Sequence, residues 1–236
     1  MKINVVESVL KANDAVAREN RRRLQAAEVL AINLMSAPGS GKTLLLEKTI
    51  PALGSTVRCA VLVGDLQTTR DAERLGPVAA QVTQINTGTG CHLTAPQVAE
   101  GLDSLDLRAI DVLFIENVGN MVCPAAFDLG EQRRVALLSI PEGDDKVAKY
   151  PTLFQPADVI LLTKIDLLGV LDYRLQRVYE DVSRINTRAP LMELAANSER
   201  NELWIALPHW QYNAISRTIR QTLTKSTQLF HADFCK

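Results

Sequence analysis

Six short apolar runs, Leu30 to Met35, Val57 to Val63, Val82 to Asn86, Val112 to Glu116, Val135 to Ile140 and Val159 to Thr163, alternate along this chain with longer stretches patterned for helix. That order leaves few folds open. Runs that are apolar throughout, rather than at every second position, fit strands covered on both faces, and parallel neighbours need crossovers long enough to hold a helix. The pattern predicts an α/β fold with a mostly parallel central sheet flanked by helices. With 236 residues, 47% of them hydrophobic, the chain can bury one sizeable core, so residues 1–236 are expected to form a single domain. Its parts are an N-terminal helix within 1–28, an α/β body over 29–224 and a loosely tied tail over 225–236. In the first part Val5, Val9, Ala12, Val16 and Leu24 fall near helical spacing from Val5 to Glu28, and Arg21-Arg22-Arg23 read as a solvated basic face near the helix end.

Acidic and basic residues nearly cancel, at a formal charge of -1, so no general field favours nucleic acid or an anionic membrane. No apolar run reaches the roughly 18 residues of a spanning helix, and Met1-Lys2-Ile3-Asn4 lacks the layout of a signal peptide. The expectation is a cytoplasmic protein with neither membrane nor nucleic-acid partner. Four scattered cysteines fit free thiols in a reducing compartment better than a disulfide framework.

Ser36-Ala37-Pro38-Gly39-Ser40-Gly41-Lys42-Thr43 lies between the first apolar run and a leucine-rich helix opening at Leu44. This is the setting of a phosphate-binding loop. Gly39, Ser40 and Gly41 let backbone N–H groups curl around a phosphate, the helix N-terminus adds its positive dipole end, Lys42 reaches the β- and γ-phosphates, and Thr43 offers a hydroxyl to Mg²⁺. Ser36 stands where the pattern G-x-x-x-x-G-K-[ST] has its first glycine.

Thr163-Lys164-Ile165-Asp166 follows the last apolar run, where GTP-binding proteins carry [NT]-K-x-D. A carboxylate at Asp166 accepts two hydrogen bonds that guanine supplies and adenine does not, while the Lys164 stem covers the base. GTP and GDP are therefore the expected nucleotides. Leu194-Ala195-Ala196-Asn197 is the one candidate for a small-residue loop meeting the base through its backbone. Asp65 and Glu116 each close an apolar run, so with Thr43 they are candidates to hold Mg²⁺, and with Lys42 to orient an attacking water and stabilise the transferring phosphoryl group.

Cys91-His92 follows the run ending at Asn86, and Cys123 follows the run ending at Glu116. Two thiols and an imidazole leave what read as neighbouring strand ends, and such ligands suit Ni²⁺ or Zn²⁺ far better than Mg²⁺. Three ligands fall short of four, so a second copy of the chain meeting the first through these loops would complete a site. Buried, inert thiols are the alternative reading of the same residues. Cys59 inside its apolar run reads as core, His209 between Pro208 and Trp210 as packing, and His231 and Cys235 as tail.

Three longer strings carry a family resemblance: Val63 to Arg74 (VGDLQTTRDAER), Gln84 to Leu93 (QINTGTGCHL) and Phe114 to Pro124 (FIENVGNMVCP), extended by Glu142-Gly143-Asp144-Asp145-Lys146 and Lys149-Tyr150-Pro151. From the N-terminal helix to about Leu168 the chain resembles the nickel-incorporation GTPases of [NiFe]-hydrogenase maturation, the HypB family. The resemblance implies a SIMIBI-class P-loop GTPase that forms a homodimer on binding GTP, hydrolyses it slowly, and passes nickel toward the hydrogenase large subunit together with a partner nickel metallochaperone. It also implies that Cys91, His92 and Cys123 form a metal site at the dimer interface. Thr163 stands where the family usually has asparagine, and Asn197-Ser198-Glu199-Arg200-Asn201 where a threonine- and glycine-rich guanine loop is expected. With only His92, His209 and His231, the chain has no histidine-rich stretch for storing nickel. Two other classes stay open: a P-loop kinase acting on a small metabolite, and a nucleotide-binding scaffold that does not turn over.

Overall fold

Residues 3–54 and 57–195 are described by a computed structural model. Seven parallel strands form one sheet: β1 Leu30–Ser36, β2 Cys59–Asp65, β3 Gln81–Asn86, β4 Val112–Glu116, β5 Arg133–Ser139, β6 Val159–Thr163 and β7 Leu191–Leu194, ordered β3-β2-β4-β1-β5-β6-β7. Every ladder is parallel, as continuous apolar runs require. The eight α-helices among the described residues are α1 Ile3–Ala26, α2 Lys42–Ala52, α3 Arg70–Leu75, α4 Ala95–Asp103, α5 Cys123–Ala126, α6 Lys146–Lys149, α7 Pro151–Phe154 and α8 Leu175–Ile185.

Strand alternation divides the core. Leu30, Ile32 and Leu34 of β1 face α2 and α3 with Leu45, Leu46, Ile50 and Leu75, while Ala31 and Met35 face the other side. There Ala31 joins the cluster under α1 and α4, and Met35 the cluster under α7 and α8. Phe114 on β4 is wholly buried, and burial of a side chain that size is worth roughly 1.5–3 kcal/mol. Between Ala31 and Met35, Asn33 turns a polar side chain into the same buried face. A buried amide is costly unless paired, and its partners belong to the site described below.

The helix expected from Val5 to Glu28 forms over Ile3–Ala26 and lies against α4. Its arginines differ from the expected solvated face. Arg21 pairs with Asp128 and Arg23 with Asp103, each at 2.7 Å, so two of the three tie α1 to the loop before β5 and to α4; Arg22 pairs with Glu19 of its own helix. Two buried asparagines strengthen the attachment. Asn13 donates to the Asp128 carbonyl and accepts from the Ala95 N–H, both at 2.8 Å, and Asn20 donates to the Ala95 and Leu129 carbonyls at 2.9 and 3.0 Å.

β7 is a strand that the apolar-run pattern does not predict. It has four residues, Leu-Met-Glu-Leu, at the sheet edge with one ladder to β6, too short to stand out as a run. β2 starts at Cys59 rather than Val57, and β5 starts at Arg133, two residues before its apolar portion. Cys59 packs in the core as expected, with burial pushing its thiol up to about 12. No described helix is long and apolar enough to cross a membrane. The guanine-loop candidate beyond Ala195, the 197–201 segment, His209, His231, Cys235 and the tail at 225–236 lie outside the described residues.

Candidate functional site

The carboxyl ends of β1, β2 and β4 open onto a cleft of about 410 Å³ lined by Gly39, Gly41, Lys42, Thr43, Asp65 and Glu116, with Arg74 and Asp71 from α3. An open parallel sheet presents its ligand crevice at this edge. The loop after β1 turns through Gly39 (φ 74) and Gly41 (φ 98) before α2 begins at Lys42, left-handed conformations that a side chain would strain. Lys42 is buried and its ammonium donates to the Ser36 hydroxyl at 3.0 Å. The residue replacing the first glycine of the motif thus holds the lysine. Burial lowers the Lys42 pKa, while Glu116, Asp71 and Glu142 pull it back up.

Thr43 donates to Glu116 Oε1 at 2.7 Å, and Glu116 Oε2 is buried without a hydrogen-bond partner. An orphaned carboxylate oxygen beside a threonine hydroxyl is the donor set that a hard divalent cation takes. The expected residues fit Mg²⁺. Burial is the main cause that raises Glu116 to about 7, against the opposing pull of the Thr43 bond and Lys42. Asp65, at the end of β2, accepts from the Leu66 N–H at 2.6 Å and from Thr68, so it also shapes the loop into α3.

The raised Glu116 value has a measurable consequence for stability. In the unfolded chain this carboxyl ionises near 4.5, whereas in the fold it keeps its proton to about 7. Its contribution is therefore full below pH 4.5 and is lost as pH rises through about 7. The ligand-free protein is expected to lose up to about 3 kcal/mol from this group across that window. Thermal unfolding of wild type and Glu116→Gln should show the slope only in wild type; parallel curves would assign the pH dependence elsewhere.

At the end of β6, Thr163 donates its hydroxyl to the Ser40 carbonyl at 2.8 Å and so links the expected base-recognition segment to the phosphate loop. Lys164 holds φ 61, a rare backbone for a non-glycine residue, which turns the chain sharply toward Asp166. Asp166 is exposed. Glu142, which the motifs do not flag as a site residue, accepts from the Ser40 hydroxyl at 2.8 Å and from the Ser139 N–H and hydroxyl at 2.8 and 2.7 Å. It braces the phosphate loop from β5.

Cys91, His92 and Cys123 offer ligand atoms that all lie within 4.8 Å of one another, with Cys91 Sγ 3.7 Å from His92 Nδ1. The expected trio is brought together, though not from neighbouring strands. β2 separates β3 from β4, and the two loops meet across its end. Thr87 shapes the first arm, donating its N–H to the Asp65 carbonyl at 2.9 Å and its hydroxyl to the Gly90 carbonyl at 2.6 Å. Asn120 shapes the second, accepting from the Val122 and Cys123 N–H groups at 2.8 and 3.4 Å. His92 stacks on Phe127 at 4.1 Å between ring centroids, and burial lowers its pKa, which favours the neutral imidazole that metals bind. Cys123 is raised first by its hydrogen bond with Cys91.

The two constellations adjoin. Gly119, between Glu116 and Cys123, packs so closely on the phosphate loop that a Cβ there would lie 2.7 Å from Pro38 Cα. Sequence patterns also miss Asp71 and Arg74 as lining residues. Arg74 is gripped by Glu47 through two bonds of 2.9 and 2.7 Å. The signal available was their place within the string Val63 to Arg74.

Comparison with known proteins agrees with this layout. Residues 30–193 match the family described as CobW/HypB/UreG, nucleotide-binding domain. The hydrogenase maturation factor HypB of Azotobacter chroococcum mcd 1 is 42% identical over 231 residues, spanning 98% of this chain and 76% of that protein. The crystal structure of HypB from Helicobacter pylori in complex with nickel superposes with a TM-score of 0.81 at 38% identity, covering 87% of this chain and 98% of that one. HypB from Archaeoglobus fulgidus gives 0.78 at 38% identity over 84% and 97% of the two chains. Likeness of this extent, in sequence and backbone together, leaves one assignment: the chain belongs to the HypB family of hydrogenase maturation factors.

Proposed function

We propose that the chain is a GTP-hydrolysing metallochaperone that dimerises with GTP and helps deliver nickel to [NiFe]-hydrogenase, its nucleotide state setting the affinity of the Cys91–His92–Cys123 site. One observation carries the reading. Glu116, hydrogen-bonded to Thr43 in the phosphate cleft, and Cys123, in the thiol–imidazole cluster, lie on one short segment that is packed against the phosphate loop at Gly119. A shift of a carboxylate that answers to the terminal phosphate therefore displaces a metal ligand.

Gly39, Ser40 and Gly41 wrap the phosphates with backbone N–H groups, and Lys42 stabilises the charge of the transferring phosphoryl group. Thr43, Glu116 and Asp65 hold Mg²⁺, which when bound neutralises phosphate charge, and the two carboxylates orient water. Lys164 and Asp166 select guanine, with Thr163 fixing their loop to Ser40. Arg74 lines the cleft but is held by Glu47, so slow turnover is expected. The cluster supplies three ligands, and a second copy facing it would supply the rest for Ni²⁺ or Zn²⁺. Val122, 55% exposed beside Cys123, suits that contact. The resemblance to relatives in hydrogenase maturation supports a partner nickel metallochaperone and the hydrogenase large subunit as recipient, in the cytoplasm.

Nickel titration of the full chain with GDP and with a non-hydrolysable GTP analogue, tracking dimer mass alongside, tests the reading. Affinities differing by roughly fivefold or more are expected, the lower range of allosteric coupling. Equal affinities would remove the switch.

A further inference from the structure

Asn117 follows Glu116 directly, lines the nucleotide cleft and is 1% exposed, and both ends of its side-chain amide are taken up by hydrogen bonds within the protein. Its amide oxygen accepts from the Leu93 N–H at 3.1 Å and from the Val118 N–H at 2.9 Å. Its amide nitrogen donates to Asn33 Oδ1 on β1 at 3.3 Å, and its backbone N–H donates to the Leu34 carbonyl at 3.1 Å. Asn33 continues the chain of contacts to Glu131, at 3.4 Å, which also takes the Leu129 N–H and the Arg134 guanidinium at 2.8 and 2.7 Å. This polar seam is the pairing that lets Asn33 sit inside the core.

The position matters because of what lies on each side. Leu93 is the residue after His92, so the Asn117 oxygen grips the Cys91–His92 arm. Cys123 is reached along the chain from Asn117 through Gly119, so the other arm follows from its backbone. On its N-terminal side, Glu116 is bonded to Thr43. A packed core does not deform smoothly, so displacement at Glu116 is passed on through groups that are firmly held. Asn117 alone among the described residues joins Glu116 by a peptide bond and the Cys91–His92 arm by a hydrogen bond.

We propose that Asn117 is the positioning residue that couples the nucleotide cleft to the metal cluster, its amide oxygen moving the Cys91–His92 arm together with the Glu116–Cys123 segment. The inference rests on the nucleotide-controlled metal site proposed above and names the residue that transmits the control. With its amide oxygen and nitrogen both held inside the protein, Asn117 acts through its neighbours rather than as a ligand.

The experiment is nickel titration of wild type, Asn117→Ala and Asn33→Ala, each as the full chain with GDP and with a non-hydrolysable GTP analogue, with thermal unfolding in parallel. In Asn117→Ala the ratio of the two nickel affinities is expected to collapse to within about twofold of unity. Binding of the GDP form alone should change less than the ratio does, an outcome that general loosening of the site would not produce. Asn33→Ala keeps the bond to Leu93 and should retain most of the ratio. A folded Asn117→Ala protein with the wild-type ratio would overturn the inference while leaving the switch intact. Equal affinities in wild type would instead remove the switch itself, and this residue's role with it. Should Asn117→Ala not fold, hydrogen exchange at the Leu93 amide of wild type decides: slow exchange in both nucleotide forms is expected, and exchange as fast as an open loop would overturn the coupling.

Discussion

Alanine at Lys42 is expected to lower GTP turnover by roughly 100- to 1,000-fold, the range seen when one preorganised donor to a developing charge is removed. The ammonium is buried at the head of α2 and held by the Ser36 hydroxyl at 3.0 Å, so its position is fixed before nucleotide arrives. It meets the phosphates from a site where water competes little, which strengthens its field. Alanine also removes a positive neighbour that draws down the Glu116 pKa, leaving that carboxyl more readily protonated. Phosphate release at saturating GTP, with nucleotide binding measured separately, checks the expectation. Turnover within threefold of wild type would show that the loop backbone suffices and would shift the proposed chemistry away from Lys42.

Cys123→Ala is expected to weaken nickel binding at least about 100-fold, the upper end of what losing a mere outer-shell partner costs. It deletes one of three ligand atoms gathered within 4.8 Å, five residues before Asp128, whose pairing with Arg21 keeps the surrounding loop in place. The fold should be little affected, since Cys123 is only half-buried. Cys59→Ala is the internal control. That thiol lies in the core under α2 and is pushed up to about 12, so its loss should destabilise the fold without touching nickel. Isothermal titration of both variants separates the cases: equal nickel affinity in wild type and Cys123→Ala would place the metal elsewhere.

Much of this architecture is written locally. Strands buried on both faces show as unbroken apolar runs, so β4 and β6 fall on the expected residues, Val112–Glu116 and Val159–Thr163. The phosphate loop is legible because its chemistry depends on adjacent backbone atoms. Other features depend on sheet order, which no local pattern encodes. Cys91 and Cys123 meet only because the loops after β3 and β4 converge over β2. Asn33 is a polar residue inside an apolar run, but its partner Asn117 is 84 residues away, so no local pattern pairs them. Arg21 and Arg23 read as a solvent face because helix periodicity cannot show that Asp128 and Asp103 stand opposite. The four residues of β7 take their strand form from the ladder with β6 rather than from their own composition.

The hydroxyl of Thr163, donating to Ser40, carries a lesson about how such sites tolerate change. What the fold demands of position 163 is a proton delivered to one carbonyl at one distance, and an alcohol meets that demand as well as an amide does. Reach and polarity are what this contact requires, so Thr163→Ser should be tolerated, whereas Thr163→Val, equal in shape but lacking the proton, should break the link between the end of β6 and the phosphate loop.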